Sequence, residues 1–455
     1  MSTHSEAARH FVADAERMAW HDRALYAVRE KRDRMMESIP EWEALRSAAS
    51  QIKLHTLSRL GHYLEEFERN ATANGMVVHW AADGAAMNEI VWQLIREHGG
   101  HRLIKSKSML SEECGLTPYL EKRGVEAVES DLGERIMQLL HMPPSHIVLP
   151  AIGVRREEVG ALFEREMDTE PGNSDPTYLT HAARHALRPK FLEADVSMTG
   201  VNFAVASTGA LAVCTNEGNA DLGTSFADLH IAIMGLEKVI PDMRALGVFT
   251  RLLARSGTGQ PVTTYTSLYR RPAPGRQIHV VIVDNGRSEW LADAAHRNML
   301  KCLRCGACMN TLSGLPPFGR LLLLLFHSRA AGHQPLDAAL AAAAPRQCLG
   351  LHALLLLLGC LPGEDRPRGA DLPLAAAARF AASGRSGEED GRQGDGFRHG
   401  RSAPLLRRHR PRPRRRSSAA RAARKPPESV VCPRPRHAAL RIPDIRCTME
   451  KNEET

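Results

Sequence analysis

The sequence predicts an α/β protein, on three observations. Short apolar runs alternate with amphipathic helical stretches between residues 75 and 160. Strand, helix, strand at that pitch means βαβ units and a largely parallel sheet. Two further apolar runs flank a Thr-Gly turn near residue 208, which reads as a hairpin. Long stretches free of proline and glycine, 6–38 and 41–60, carry Ala, Leu, Glu and Arg in mixed order and predict an amino-terminal helical arm over 1–70.

Within the arm, Leu54, Leu57, Leu60 and Leu64 fall at helical spacing. Val77, Val78 and Trp80 belong to a strand-like run. Met87, Ile90, Val91, Leu94 and Ile95 then line one helical face over 85–98. Strands are expected at 101–105, 125–128 and 147–149, with a helix at 119–123 between the first two. Residues 202–206 and 210–214 form the hairpin around Ser207-Thr208-Gly209. Further strands are expected before Gly235, at 238–241 and at 278–283, the last closed by Asp284-Asn285-Gly286.

The chain has 455 residues, 43% apolar and 25% charged, which excludes a wholly disordered protein and allows two or three domains. No run reaches the roughly 18 apolar residues of a membrane span. The first 30 residues have no apolar core of a secretory signal, so a cytoplasmic protein is expected.

The net charge of +8 conceals a break. Residues 312–455 hold 23 Arg, 2 Lys and 13 acids, a net of +12, which leaves −4 for residues 1–311. All six Tyr and all five Trp precede position 312. The chain divides accordingly into the arm, an α/β domain over 71–295, a cysteine segment at 296–311, and an Arg-, Leu- and Ala-rich tail.

Cys302, Cys305 and Cys308 form a C-x2-C-x2-C run, with Gly306 and Ala307 letting the backbone wrap inward. The bacterial ferredoxin run is C-x2-C-x2-C-x3-C-P. Position 312, where the fourth cysteine belongs, is Leu312. Zinc is the alternative, but zinc sites usually pair two such knuckles and no second one exists in the chain.

A surplus nucleotide near codon 311 accounts for the break. Residues 312–317 can be encoded CTG TCC GGT CTA CCG CCG, which one base later reads Cys-Pro-Val-Tyr-Arg. Residues 349–363, similarly encoded, yield a complete second C-x2-C-x2-C-x3-C-P one base later. Residues 312–455 are therefore expected to be out-of-frame translation, physically a disordered tail. The Arg-rich stretch 407–416 lacks aromatic stacking partners, so no nucleic-acid partner is expected.

Seven segments taken in order resemble one family: His79-Trp80-Ala81, Lys105-Ser106-Lys107-Ser108-Met109, Glu112-Glu113-Cys114-Gly115-Leu116, Asp131-Leu132-Gly133-Glu134, Pro144-Ser145-His146-Ile147, Thr215-Asn216-Glu217-Gly218-Asn219 and the 302–308 cysteines. The chain over roughly 1–311 resembles the LutB-type lactate-utilisation iron–sulfur proteins, which carry a LUD domain and two ferredoxin-type cysteine runs. Two departures stand out. Gly153 follows Ile152 where the family has His, and the second cysteine run is missing.

The resemblance implies a LUD domain like the sugar-phosphate isomerase and CoA-transferase fold, followed by a remnant of a helical two-cluster ferredoxin domain. It implies a cytoplasmic electron carrier with two [4Fe–4S] clusters, working with companion lactate-utilisation proteins, including a partner dehydrogenase, in oxidising L-lactate to pyruvate. Cys302, Cys305 and Cys308 would be metal ligands, three of eight thiolates, so electron transfer is expected to be impaired. The runner-up is a small-molecule-binding LUD protein with structural zinc.

A second site is expected in the α/β region. Lys105 and Lys107, with Ser106 and Ser108, follow a strand, where parallel sheets bind ligands. Two lysines there could hold an anion, against the alternative of a solvated turn. Thr208, Glu217 and Asn219 could line the same cleft, against the alternative of hairpin-turn chemistry. His79, His141 and His146 lack metal-ligand spacing and read as structural. No Ser-His-Asp set, Walker loop or G-x-G-x-x-G is present, and no residue is assigned a catalytic role.

Overall fold

The computed structural model describes residues 13–310, apart from 143, 145, 295 and 296. The predicted tail and the frame break at Leu312 lie outside the described residues. Three helices open the chain: α1 (Ala15–Glu37), α2 (Trp42–Ser58) and α3 (Leu60–Ala73). Asp14 starts α1 by accepting from the Arg17 amide. The helices pack onto the rest of the domain. Trp42, Leu45 and Ala49 of α2 bury with Phe203, Phe249 and Leu303, and Leu60, Leu64 and Phe67 of α3 with Leu211, Val280 and Ile282.

The chain then alternates strand and helix: β1 (Val77–Ala81), α4 (Gly84–Glu97), β2 (Arg102–Lys105), α5 (Met109–Glu113), α6 (Leu116–Glu121) and β3 (Glu126–Glu129). Helices α7 (Leu132–Leu139), α8 (Arg156–Met167) and α9 (Pro176–Leu192) lead to β4 (Val196–Gly200). The hairpin β5 (Phe203–Val205) and β6 (Ala210–Thr215) follows, then α10 (Asn219–Phe226), β7 (Leu229–Gly235), β8 (Val239–Ile240) and α11 (Met243–Thr258). Strands β9 (Tyr265–Tyr269) and β10 (Gln277–Val283) and helix α12 (Arg287–Ala292) complete the domain.

Six strands form one sheet in the order β1-β10-β7-β4-β2-β3, every pair parallel. All seven residues of β7 are buried, as a strand covered on both faces requires. A second sheet, β8-β5-β6-β9, is mixed, and only its hairpin and β8 are foreshadowed by the sequence. Gly209 sits in the hairpin turn at φ +65, where a Cβ would come 2.4 Å from the Ala71 amide nitrogen. The turn is also tied to α3 by Asn70 and Asn74, whose side-chain amides donate to the carbonyls of Ala206 and Thr208.

One expected strand is absent. Residues 147–149 form no ladder, because the Nδ1 of His146 accepts from the amides of Val148 and Leu149, each at 3.0 Å. Local capture of two donors leaves too little backbone for strand pairing.

All six parallel strands end on the same edge. From β2 the chain runs outward to β3; from β4 it passes the other way to β7 and then β10. Neighbouring strands whose onward paths diverge leave a crevice beyond their carboxyl ends, the usual ligand position in open parallel sheets. No described helix is long and apolar enough to cross a membrane.

Candidate functional site

The crevice between β2 and β4 opens into a cavity of about 340 Å³. Ser106, Lys107 and Ser108 reach it from β2, Asn202 from β4, and Thr215 to Glu217 and Asn219 from the end of β6 and start of α10. Lys238 enters from the end of β7, and Arg304 and Cys305 form the wall on the cysteine side. Lys107, Glu217 and Asn219 all line this one cavity.

Lys105 and Thr208 are placed elsewhere. The Lys105 side chain is 1% exposed and donates to Glu129 at 2.5 Å and Glu112 at 3.0 Å. Burial alone would lower its pKa, but Glu129, Glu112 and Glu134 outweigh it and raise it. Burial meanwhile pushes the Glu129 and Glu134 carboxyls up, against the pull of Lys105. Carboxylate oxygens of Glu112, Glu129 and Glu134 lie within 4.8 Å of one another, a spacing that could hold a metal ion. The Lys105 ammonium bonds two of them, so the cation of this cluster is a side chain. Lys105 does not line the cavity, whereas Ser106, Lys107 and Ser108 do. Thr208 lies in the hairpin turn, its carbonyl taken by Asn74.

Lys107 keeps one foot in the cavity and donates to the Val148 carbonyl at 3.2 Å. Glu217 accepts from the Leu132 amide; burial, then the Asp131 charge beside it, pushes its carboxyl up to about 7. Asn219 donates to Ser130 Oγ at 3.1 Å, which in turn donates to the Lys105 carbonyl at 2.8 Å. That chain ties α10 to the end of β2.

A second charge network lies beyond β7 and β10. Arg287 donates to Glu237 at 2.7 Å and to both oxygens of Glu113 at 3.1 Å. Arg304 lies 3.4 Å from Glu113 and 3.6 Å from Glu237. Burial would raise the Glu237 pKa, but Arg287, Arg304 and Lys238 hold it far below the carboxylate range. Lys53 also donates to the Glu237 carbonyl. No spacing in the sequence reports this network, because its members come from five separate segments.

Arg304 connects the network to the cysteines. The loop after the short helix Arg297–Lys301 turns through two left-handed residues, Arg304 at φ 56 and Gly306 at φ 75. A Cβ at Gly306 would come 2.9 Å from Val148, so glycine meets both demands there. These turns aim backbone donors at sulfur: the Arg304 amide donates to Cys302 Sγ at 3.4 Å, and the Ala307 amide to Cys305 Sγ. Leu303, Cys305 and Ala307 bury against Trp42, Phe249 and Leu253, so the loop is part of the domain core. His146 fixes it from below through Asn310, at 3.1 Å.

Backbone amides directed at several thiols of a Gly-containing loop fit a thiolate-bound iron–sulfur cluster, whose sulfurs accept such bonds. Among the described residues, the three sulfurs are not grouped within 4.8 Å, whereas thiolates on one tetrahedral zinc stand about 3.8 Å apart. The described loop offers three ligands. Of the other described cysteines, Cys114 is pushed up to about 12 by burial, and Cys214 is hydrogen-bonded to Thr263 and Thr266.

A mixed α/β domain with a parallel sheet and a cavity at its carboxyl edge defines the class, and residues 64–289 match the family model of the LUD domain. Among curated relatives, the chain is 39% identical over 286 residues to "Uncharacterized electron transport protein YkgF" of Escherichia coli, covering 62% of this chain and 60% of that protein. It is 40% identical over 283 residues to "Lactate utilization protein B" of Geobacillus thermodenitrificans, covering 61% and 59%. The chain thus spans about 60% of the length of the curated relatives it matches. A solved DUF162 family protein from Deinococcus radiodurans matches 49% of this chain and 98% of that one, at 12% identity and a TM-score of 0.27.

Proposed function

We propose that the chain is an iron–sulfur electron-transfer subunit of a cytoplasmic L-lactate oxidation system, acting with companion lactate-utilisation proteins that include a dehydrogenase. The observation that carries this reading is the 302–308 loop, with its three thiols, two left-handed residues and amides donating to Cys302 and Cys305. The names of the relatives, electron transport and lactate utilisation, agree with it. A [4Fe–4S] cluster bound there would supply one-electron transfer. Cys302, Cys305 and Cys308 would hold it, and Arg304 and Lys53 would offset its negative charge.

We further infer that residues 312–455 are out of frame and that this chain is impaired. In two-cluster ferredoxins the fourth cysteine of each run ligates the other cluster. Three thiolates can keep only a labile three-iron or solvent-ligated species.

The test is anaerobic purification of the full chain beside a second one with the surplus base near codon 311 removed, followed by iron and sulfide assay and EPR. The chain as written should carry about three or four irons at most, and the restored one about eight. Near eight irons in the chain as written, or stoichiometric zinc in a colourless protein, overturns the reading.

A further inference from the structure

We propose that the cavity at the β2/β4 crevice binds a small organic oxyanion, a carboxylate or a phosphate ester, held by Lys238 and Lys107 with the Ser106 hydroxyl. Nothing in the electron-carrier reading requires such a site, and three independent observations carry it.

The first is unspent positive charge. Lys107, Lys238, Arg287 and Arg304 line the cavity against Asp131, Glu217 and Glu237; of these cations Lys107 is paired with Glu134 at 3.8 Å and the arginines with Glu113, which leaves Lys238. Glu237 is already engaged by Arg287 at 2.7 Å and Arg304 at 3.6 Å. Among the described residues, no hydrogen bond or ion pair restrains the Lys238 ammonium. A half-buried ammonium with only a shared carboxylate nearby is stabilised by an anion that displaces cavity water.

The second is a pair of orphaned hydroxyls. Ser106 is 4% exposed, and its Oγ has no hydrogen-bond partner. The buried Oγ1 of Thr215, across the cavity, has none either. Buried hydroxyls without partners are uncommon, because each loses water without compensation. Two in one cavity, both at its lining, mark positions where ligand oxygens would sit.

The third is the start of α10. This eight-residue helix begins after Gly218 at φ +69 with no side chain capping it, and Glu217 and Asn219 of that turn line the cavity. Its uncapped amides add partial positive charge on the same side.

The volume, about 340 Å³, lies at the lower end of small-ligand pockets, so the guest carries a polar body beyond the anionic group. Asn202, Asn216 and Asn219 offer amides for it. The guest would lie against Arg304 and Cys305, so its arrival would be felt at the cysteine loop.

Calorimetric titration of the full chain with L-lactate, pyruvate, inorganic phosphate and glucose 6-phosphate tests this. One class should bind saturably at one site per chain, and the class that binds separates carboxylate from phosphate ester. Lys238→Met should weaken it about tenfold or more and Ser106→Ala several-fold. Lys190→Met, whose partner Glu126 starts β3 at the opposite edge, should leave it unchanged. Circular dichroism checks the fold of each variant; should Lys238→Met not fold, Lys107→Gln takes its place. Absence of saturable binding into the millimolar range overturns the proposal, as does binding that survives Lys238→Met and Ser106→Ala undiminished. The titration needs no cluster and is repeated on Cys302→Ser. Its failure leaves the iron assay standing, and failure of the iron assay leaves the titration standing.

Discussion

Two buried charge clusters stand at the same edge of the same sheet, and they differ in what they leave over. Around Lys105, three carboxylates enclose one ammonium: Glu129 at 2.5 Å, Glu112 at 3.0 Å, and Glu134 within 4.8 Å of both. Around Glu113 and Glu237, the cations predominate: Arg287, Arg304 and Lys238, with Lys53 on the Glu237 carbonyl. The first holds β2 to β3 and α5, and touches the cavity only through Lys107, 3.8 Å from Glu134. The second borders the cavity and the cysteine loop. Burying charge is tolerable only with compensation. The first cluster finds it within the protein, while the second leaves positive charge facing the places where a negative guest would bind.

Breaking the closed cluster should have the largest effect. Lys105→Met leaves Glu112 and Glu129 without their cation, while Glu134 keeps Lys107 at 3.8 Å, at a cost of about 3–5 kcal/mol. Urea denaturation should show it as a lower midpoint with unchanged slope. A loss under about 1 kcal/mol would mean the three carboxylates share protons well enough to need no lysine. Arg304→Met, in the open cluster, should cost less, about 1–3 kcal/mol, because Glu113 and Glu237 keep Arg287. It should nonetheless reduce the iron retained after anaerobic desalting. Equal stability losses with equal iron would erase the distinction between the clusters.

The sequence made half of this comparison legible. Buried runs such as Leu229–Gly235 announce the parallel sheet, and the cysteine spacing announces the loop. Lys105 is recognisable as a residue at a strand end. Its commitment to Glu129 is not, because parallel pairing sets β3 beside β2 and no local pattern encodes that register. The same holds for Arg287, Glu113 and Glu237, which lie 174 and 50 residues apart from one another in the chain. Residues 147–149 mislead for a different reason: the side chain of His146 takes the amides of Val148 and Leu149. Strand β9 escapes notice because its residues are largely exposed and lack an apolar run.

The sheet between the clusters supplies a third test. Burial lowers His230 to about 3; burial, then the His79 and His98 charges, lowers His279 to about 4. His230 sits in β7 against Thr199, 2.8 Å away. Both are neutral when folded, whereas the unfolded chain takes up their protons near pH 6.5. The unfolded state therefore binds more protons below that pH. The stability they contribute is present above 6.5 and lost as pH falls from 6.5 towards 4. Each should steepen the decline by up to about 1.4 kcal/mol per pH unit. His230→Gln should flatten the curve of unfolding free energy against pH between 6 and 5. An unchanged slope would mean that His230 is no harder to protonate in the folded chain than in the unfolded one.

The smallest effect discriminates most finely, because it compares two serines that each follow a strand on one sheet edge. Ser130 Oγ donates to the Lys105 carbonyl and accepts from Asn219; in Ser130→Ala the carbonyl keeps the Ser130 amide at 2.8 Å, but the buried Asn219 amide loses its acceptor, which should cost about 1–2 kcal/mol. Ser106 Oγ has no partner. Ser106→Ala removes an uncompensated hydroxyl, so unfolding free energy should be unchanged or higher by less than about 1 kcal/mol. Were Ser106→Ala as destabilising as Ser130→Ala, that hydroxyl would have an internal partner and the cavity would lose one of its anchors. Neutral stability with weakened oxyanion binding is the pattern expected of a group that completes its hydrogen bonding only with a guest.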